Sequence, residues 1–190
     1  GHRPAPEVRK VSGHERFSLR SADDLLEKAR RLKVDLPFAE DIGPLLEPVK
    51  VGCLELPNRL AVQPMEGADA GHGGAPSPWT LRRYVRFARG GSGLIWLEAA
   101  ALRPEGRSNP RQLVLTRKNL GGWKRRVDTI RREARSPSRS SHNPALILQL
   151  SHSGRFSKPQ GAARPVIARH HEQLDRLVGI GPGYPLVTDQ

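Results

Sequence analysis

The sequence predicts an α/β protein built on a parallel β-sheet. Three short and mostly apolar runs, at residues 59–65, 93–99 and 145–150, predict strands. Segments with a helical pattern, each of ten residues or more, separate these runs. Continuously apolar strands that alternate with helices are typical of a parallel sheet whose two faces are both covered.

Residues 1–44 are predicted to form an N-terminal extension with one helix. Ser21 is placed as an N-cap residue, with Asp24 three positions later as in a capping box. The apolar residues that follow fit one helical face: Leu25, Leu26, Ala29 and Leu32. Apolar residues then alternate over 49–56, which predicts a small β-hairpin that turns at 52–53.

Two amphipathic helices are predicted between the three strands. Apolar residues recur at helical spacing over 80–89, where a Ser-Pro pair at 77–78 opens the helix and a Gly-Gly pair at 90–91 closes it. The same spacing recurs over 123–134. After Leu150 glycine and proline become frequent, which predicts a long irregular loop. Loops that follow parallel strands are where α/β proteins carry their active sites.

The composition excludes several classes of protein. The longest apolar stretch, residues 93–102, is too short to cross a bilayer and predicts no membrane-spanning helix. Cys53 is the only cysteine, which excludes an intramolecular disulfide and a thiolate metal cluster, and we expect no metal site. A reducing, cytoplasmic location is the simplest fit. Because the chain begins at Gly1, we interpret it as a processed chain or a fragment.

The positive charge of the chain is local. Residues 82–139 contain 16 basic and 4 acidic side chains, out of a net charge of +13 for the whole chain. One interpretation is a set of solvated outer helix faces. It places these arginines of the helix predicted at 80–89 in water: Arg82, Arg83, Arg86 and Arg89. The other is a basic module that binds RNA or another polyanion, with a flexible loop at 135–141. Aromatic residues of this region fall mostly at apolar positions, which counts against the second interpretation.

Polar residues follow each predicted strand at its carboxyl end. They lie at 63–67 after the first strand, at 98–100 after the second and at 149–155 after the third. In a parallel sheet these three segments converge on one edge. The amide of Gln149 can donate and accept hydrogen bonds, which suits the imide edge of a flavin or a pyrimidine. For Glu98 we expect a structural role, fixing a neighbouring loop or an arginine.

Five motifs, in this order and spacing, resemble the old yellow enzyme family of FMN-dependent oxidoreductases over roughly residues 45–190. They are NRLAVQPM at 58–65, GLIWLEA at 93–99, PEGR at 104–107, GWK at 122–124 and QLSHSGR at 149–155. The resemblance implies a partial (β/α)8 TIM barrel: the hairpin, then strand, helix, strand, helix and strand. It also implies hydride transfer from NADH or NADPH, through FMN, to the activated C=C bond of an α,β-unsaturated carbonyl or an enoyl or dienoyl compound.

The resemblance also implies the residues that bind FMN. It places the backbone of Gln63, Pro64 and Met65 against the flavin ring and Glu66 opposite the flavin C4 carbonyl, where family members usually have Thr or Cys. It places Ala99 near the same ring edge and Gln149 at the pyrimidine side. An ionised Glu66 would disfavour the anionic reduced flavin, whereas a protonated one could donate to the carbonyl.

The domain boundaries expected on this basis are 1–44 for the extension and 45–190 for the N-terminal part of the barrel. We expect the chain to stop before the fourth barrel strand, so that the catalytic residues lie beyond residue 190 and this part alone is inactive. A complete barrel typically takes roughly 250 residues. The adjacent His170 and His171 do not match the spacing of the family's substrate-binding pair. A small-molecule substrate is the expected partner and no membrane partner is expected; nucleic acid is disfavoured but kept as the alternative, and a homo-oligomer is left open.

Overall fold

The computed structural model describes residues 18–135 and 141–187. Most of the predicted loop at 135–141 therefore lies outside the described residues. The chain divides into two compact units, Gly1–Asp41 and Ile42–Gln190. Within the described part, the search for a helix long and apolar enough to cross a membrane finds none.

The first unit contains helix α1, Ala22–Leu32. The predicted capping box is confirmed: the backbone N–H of Asp24 donates to the Ser21 hydroxyl, and the Ser21 N–H donates to the Asp24 carboxylate. The helix ends at Lys33, which adopts the left-handed conformation with φ 55°. No residue of α1 is buried, so its apolar stripe stays at least partly accessible.

The second unit begins with a short helix and the predicted hairpin. Helix α2 is Gly43–Leu46, and strands β1, Val49–Val51, and β2, Leu54–Leu56, pair antiparallel. Gly52 occupies the turn with φ 59°, a conformation that glycine adopts without steric cost. The turn position predicted from the sequence is therefore confirmed.

An open parallel sheet forms the centre of the second unit. Its strands are β3, Ala61–Val62; β4, Leu94–Ala101; β5, Leu113–Val114; and β6, Ala145–Ser151. Strand β4 lies in the middle, pairing with β3 at its start, with β5 at its end and with β6 along most of its length. The α/β class and the parallel sheet are as predicted, but the expected cover on both faces is not found, since Trp96 of β4 is 38% exposed.

Two helices cover one face of this sheet. Helix α3 is Pro78–Arg89 and helix α4 is Leu120–Ala134. The N–H groups of residues 79 and 80 donate to the hydroxyl of Ser77, which is the predicted N-cap. The core between the helices and the sheet is formed by Tyr84, Ala88, Ile95, Leu97, Ala100, Leu113, Trp123, Ile130 and Ala134.

Several elements of the second unit differ from the sequence prediction. The first predicted strand, residues 59–65, is ladder-paired only at Ala61–Val62. Strand β5 was not predicted, because two apolar residues between polar loops give no measurable periodicity. Helix α5, Glu172–Val178, lies inside the region predicted to be irregular. Short 3-10 turns complete the second unit at His72–Gly74, Pro104–Gly106 and Gly154–Phe156.

Replacing Ile130 by alanine tests whether the core between α4 and the sheet stabilises the second unit. Ile130 is buried in that core, so the I130A substitution leaves a cavity and should lower the free energy of unfolding by about 2–5 kcal/mol. Denaturant unfolding followed by circular dichroism measures the change. The matched control is K124A on the exposed side of α4, expected within about 0.5 kcal/mol of wild type. Equal effects of the two substitutions would contradict this core assignment.

Candidate functional site

The parallel sheet has one face against α3 and α4 and a second face away from them. Ile95 and Leu97 of β4 belong to the core on the helix side, and Leu146 and Leu148 of β6 pack against it. Side chains alternate along a strand, so Trp96 points to the second face, where it is 38% exposed. By the same alternation Gln149 of β6 lies on that second face, which we call the uncovered face.

Four of the six predicted flavin-binding residues are exposed at the carboxyl ends of β3 and β6: Gln63, Met65, Glu66 and Gln149. Gln63 directly follows β3, and Gln149 lies near the end of β6; both side chains are exposed. Among the described residues neither side-chain amide has a hydrogen-bond partner. Met65 is 75% exposed, and its N–H donates to the Gln63 carbonyl at 2.9 Å. Pro64, between them, is partly buried.

Glu66 is exposed, but its carboxylate is held by a neighbouring loop. One oxygen accepts from the Ser108 hydroxyl at 3.3 Å and from the Asn109 amide at 3.2 Å. The other accepts from the Gln112 amide at 3.0 Å. Both oxygens therefore have neutral donors from residues 108–112, and no ion pair of Glu66 is found in the described part of the chain.

Gln112 connects Glu66 to the two neighbouring strands. Its Nε2 donates to the Ala99 carbonyl of β4 at 3.3 Å and to the Ser151 hydroxyl at the end of β6 at 3.1 Å. Ala99, predicted near the ring edge, is buried, and this backbone carbonyl is its contact with the cluster. Sequence reasoning missed Gln112, because its position depends on β5, which begins at the next residue.

Glu98 has the structural role expected from the sequence. It is 1% exposed and accepts from the Gly67 N–H at 2.8 Å, which ties down the loop after β3. Its carboxylate also forms an ion pair with Arg83 and accepts from the Tyr84 hydroxyl at 3.2 Å. The interpretation of Glu98 as a residue that fixes a loop and an arginine is confirmed.

The prediction that Arg83 faces water is wrong. Its guanidinium reaches back over the sheet edge to Asp69 at 2.6 Å and to Glu98. A long side chain can leave its helical face when carboxylates shielded from water lie within reach, and Arg83 reaches the buried Glu98 and the partly buried Asp69. Arg82 and Arg86 on the same helix are exposed, as predicted.

Burial and charge pairing shift the pKa values of Asp69, Tyr84 and Arg83. Burial opposes ionisation of Asp69, but hydrogen bonds from Arg83 and Thr80 outweigh it and lower the pKa of Asp69. Burial raises the pKa of the Tyr84 hydroxyl, which stays protonated as a donor to Glu98. Loss of hydration opposes the charge on Arg83, yet Asp69 and Glu98 raise its pKa. Asp69 and Arg83 therefore stay charged near neutral pH, and their ion pair joins the loop after β3 to α3.

The histidines that follow β6 make structural contacts. Nδ1 of His152 accepts from the Gly154 N–H at 3.0 Å. His170 contacts Asp175 at 2.9 Å, and the His171 ring accepts from the Leu174 N–H at the start of α5. In the described residues no group of three or more His, Cys, Asp or Glu side chains is placed to hold a metal ion.

No protein-family model matches the chain. The 12-oxophytodienoate reductase 1 of Oryza sativa subsp. japonica is 30% identical over 125 residues, which covers 63% of this chain and 30% of that protein. A second rice protein carrying a 12-oxophytodienoate reductase name is 30% identical over 130 residues, 66% of this chain and 32% of that protein. The chain therefore spans about a third of the length of the curated relatives it matches.

Solved structures of reductases also match the chain over about a third of their own length. The structure of morphinone reductase in complex with tetrahydroNAD matches 65% of this chain and 32% of its own, with a TM-score of 0.52 and 26% identity. The Old Yellow Enzyme from Pichia sp. AKU4542 matches 72% of this chain and 35% of its own, with a TM-score of 0.55; at 21% identity this match shows the fold alone.

The parallel sheet and these matches show the class of protein: an α/β fold that is shared with reductases. More narrowly, about two thirds of the chain is similar to proteins of the old yellow enzyme family. The resemblance drawn from the five motifs is thereby confirmed.

Substitutions of two neighbouring arginines test the ion pair between Arg83 and the buried Glu98. The R83M substitution leaves Glu98 buried without its cationic partner, and we expect a loss of about 3 kcal/mol in the free energy of unfolding. The R82M substitution, one residue away on the exposed side, should change it by less than about 0.5 kcal/mol. Denaturant titration of both variants measures the difference. If R82M were as harmful as R83M, the inward position of Arg83 would be contradicted.

Proposed function

We propose that this chain is part of an FMN-dependent oxidoreductase whose flavin ring lies at the strand ends of the uncovered face. The observation that carries the proposal is the pair of unpartnered amides, Gln63 and Gln149, beside the exposed Met65. Ligand sites combine apolar surface with a few polar groups that orient the ligand. The relationship to the old yellow enzyme family supports FMN as that ligand.

The fold proposed for this part is a section of a (β/α)8 TIM barrel. Strands β3, β4 and β6 are adjacent in the sheet in this order and parallel, and one helix lies between each successive pair along the chain, as in a barrel wall. We place the barrel section at residues 45–190 and the helical extension at 1–44. The accessible Trp96 lies on the face that would point into such a barrel.

The residues at the strand ends fit an isoalloxazine ring. The Gln149 amide can donate to a flavin carbonyl and accept from the ring N–H, and it makes no competing contact among the described residues. The backbone of Gln63 and Pro64, with the Met65 side chain, offers a surface for the ring. Ala99 would lie near the same edge. The chemistry supplied by bound FMN would be hydride transfer.

The substrate class follows by analogy with the relatives. Two of them are named for reducing 12-oxophytodienoate and morphinone, and the morphinone reductase structure holds tetrahydroNAD. We propose an activated C=C bond, in an α,β-unsaturated carbonyl or an enoyl or dienoyl compound, as the group reduced, with NADH or NADPH as reductant. A cytoplasmic location fits these cofactors.

A basic surface that binds a polyanion is the second candidate function. The observation in its favour is Trp79, which is exposed on α3 with the Arg82 guanidinium 5.6 Å from its ring centre. Exposed aromatic and basic side chains together are typical of single-strand binding. The inward turn of Arg83 and the ion pair of Arg89 with Glu133 reduce the charge of this surface.

FMN titration tests the first proposal. The Q149A substitution removes the amide proposed to bind the pyrimidine side, and we expect FMN to bind about fivefold to tenfold more weakly, the loss of about one hydrogen bond. Flavin fluorescence quenching measures the affinity. The control is Q160A, an exposed glutamine in the loop after β6, with no change expected. Equal weakening by both substitutions, or FMN binding that Q149A leaves intact, would contradict the site.

A further inference from the structure

We propose that Gln112 is the positioning residue that holds the Glu66 carboxylate, with its negative charge, at the flavin edge. The proposal rests on the proposed function, because it concerns the same strand-end site. It identifies the loop 108–112, rather than the barrel strands alone, as the element that sets the electrostatic environment of the flavin.

The orientation of the Gln112 amide is fixed by a backbone donor. The Ser108 N–H donates to Gln112 Oε1 at 2.7 Å, and a backbone N–H can only donate. The oxygen of the amide must therefore face Ser108, and Nε2 must face the acceptors on its other side. Gln112 is 2% exposed, so water does not compete for these contacts.

The acceptors of Nε2 come from the ends of three parallel strands. Glu66 follows β3, Ala99 belongs to β4 and Ser151 ends β6, at 3.0, 3.3 and 3.1 Å respectively. Leu113, the next residue, is buried and pairs with Ala100 of β4. This pairing fixes the backbone of Gln112, so the side chain of Glu66 is coupled to the whole strand-end region.

The contacts to Glu66 orient its charge without cancelling it. All of its donors, from Ser108, Asn109 and Gln112, are neutral. An exposed glutamate normally samples several rotamers, whereas donors on both oxygens restrict it to one. No ion pair of Glu66 occurs among the described residues, so its carboxylate is held in place without a compensating cation.

A fixed negative charge beside a flavin acts differently on its two redox states. It destabilises the anionic reduced form relative to the neutral oxidised form by like-charge repulsion. Glu66 should therefore lower the affinity for reduced FMN relative to oxidised FMN. If Gln112 acts only by holding Glu66, its effect on this ratio must disappear when residue 66 carries no charge.

A double-mutant cycle tests this coupling on the full chain. The variants are Q112M, E66Q and the double variant E66Q/Q112M, and the readout is the ratio of reduced to oxidised FMN affinity, measured by anaerobic and aerobic titration. We expect E66Q and Q112M each to raise the ratio, by about threefold to tenfold for a partly screened charge. In the E66Q background, Q112M should add no further change.

Further controls separate the proposal from a purely structural role. The S108A substitution removes one donor to Glu66 and keeps the backbone donor to Gln112, so it should also raise the ratio of reduced to oxidised FMN affinity. This variant tests the proposal even where Q112M fails to fold. The melting temperatures of the variants show whether a substitution only lowers the stability of the fold. A Q112M shift of equal size in both backgrounds, or an unchanged ratio in Q112M and S108A, would overturn the proposal while leaving FMN binding in place. Absence of FMN binding by the wild-type chain would instead overturn the proposed function, and this inference with it.

Discussion

The buried carboxylate of Glu98 is the interaction on which the strand-end region depends. It lies in the central strand, accepts from the backbone of Gly67 and pairs with Arg83 of α3, so one side chain joins a strand, a helix and a loop. An ionised group in this position is stable only while its partners remain. The loop it fixes carries Gln63, Met65 and Glu66, and the geometry of the candidate site therefore follows from this cluster.

Local signals in the sequence predicted the elements that local interactions determine. The cap at Ser77, the hairpin turn at Gly52 and the long apolar run that became β4 all depend on neighbouring residues. Arg83 was placed wrongly because its partners Asp69 and Glu98 are 14 and 15 residues away, and helical periodicity contains no information on them.

The candidate site could be predicted only in part for a similar reason. The strand-end positions of Gln63 and Gln149 follow from the order of parallel strands, and the motif resemblance named them. Gln112 could not be found in this way, because it depends on the pairing of a two-residue strand with the end of β4. The signal available in the sequence was a polar segment, 108–112, directly after the PEGR motif. Such a segment predicts a loop but not the direction of its side chains.

The most direct test of the account is a two-dimensional NMR titration of the isotope-labelled chain with FMN. The account predicts that the perturbed backbone amides cluster at residues 63–66, 98–100 and 149–151, the carboxyl ends of β3, β4 and β6. Perturbations confined to the exposed arginines of α3 and α4 would show that only the phosphate is bound, by the basic surface. That result would contradict a flavin site at the strand ends.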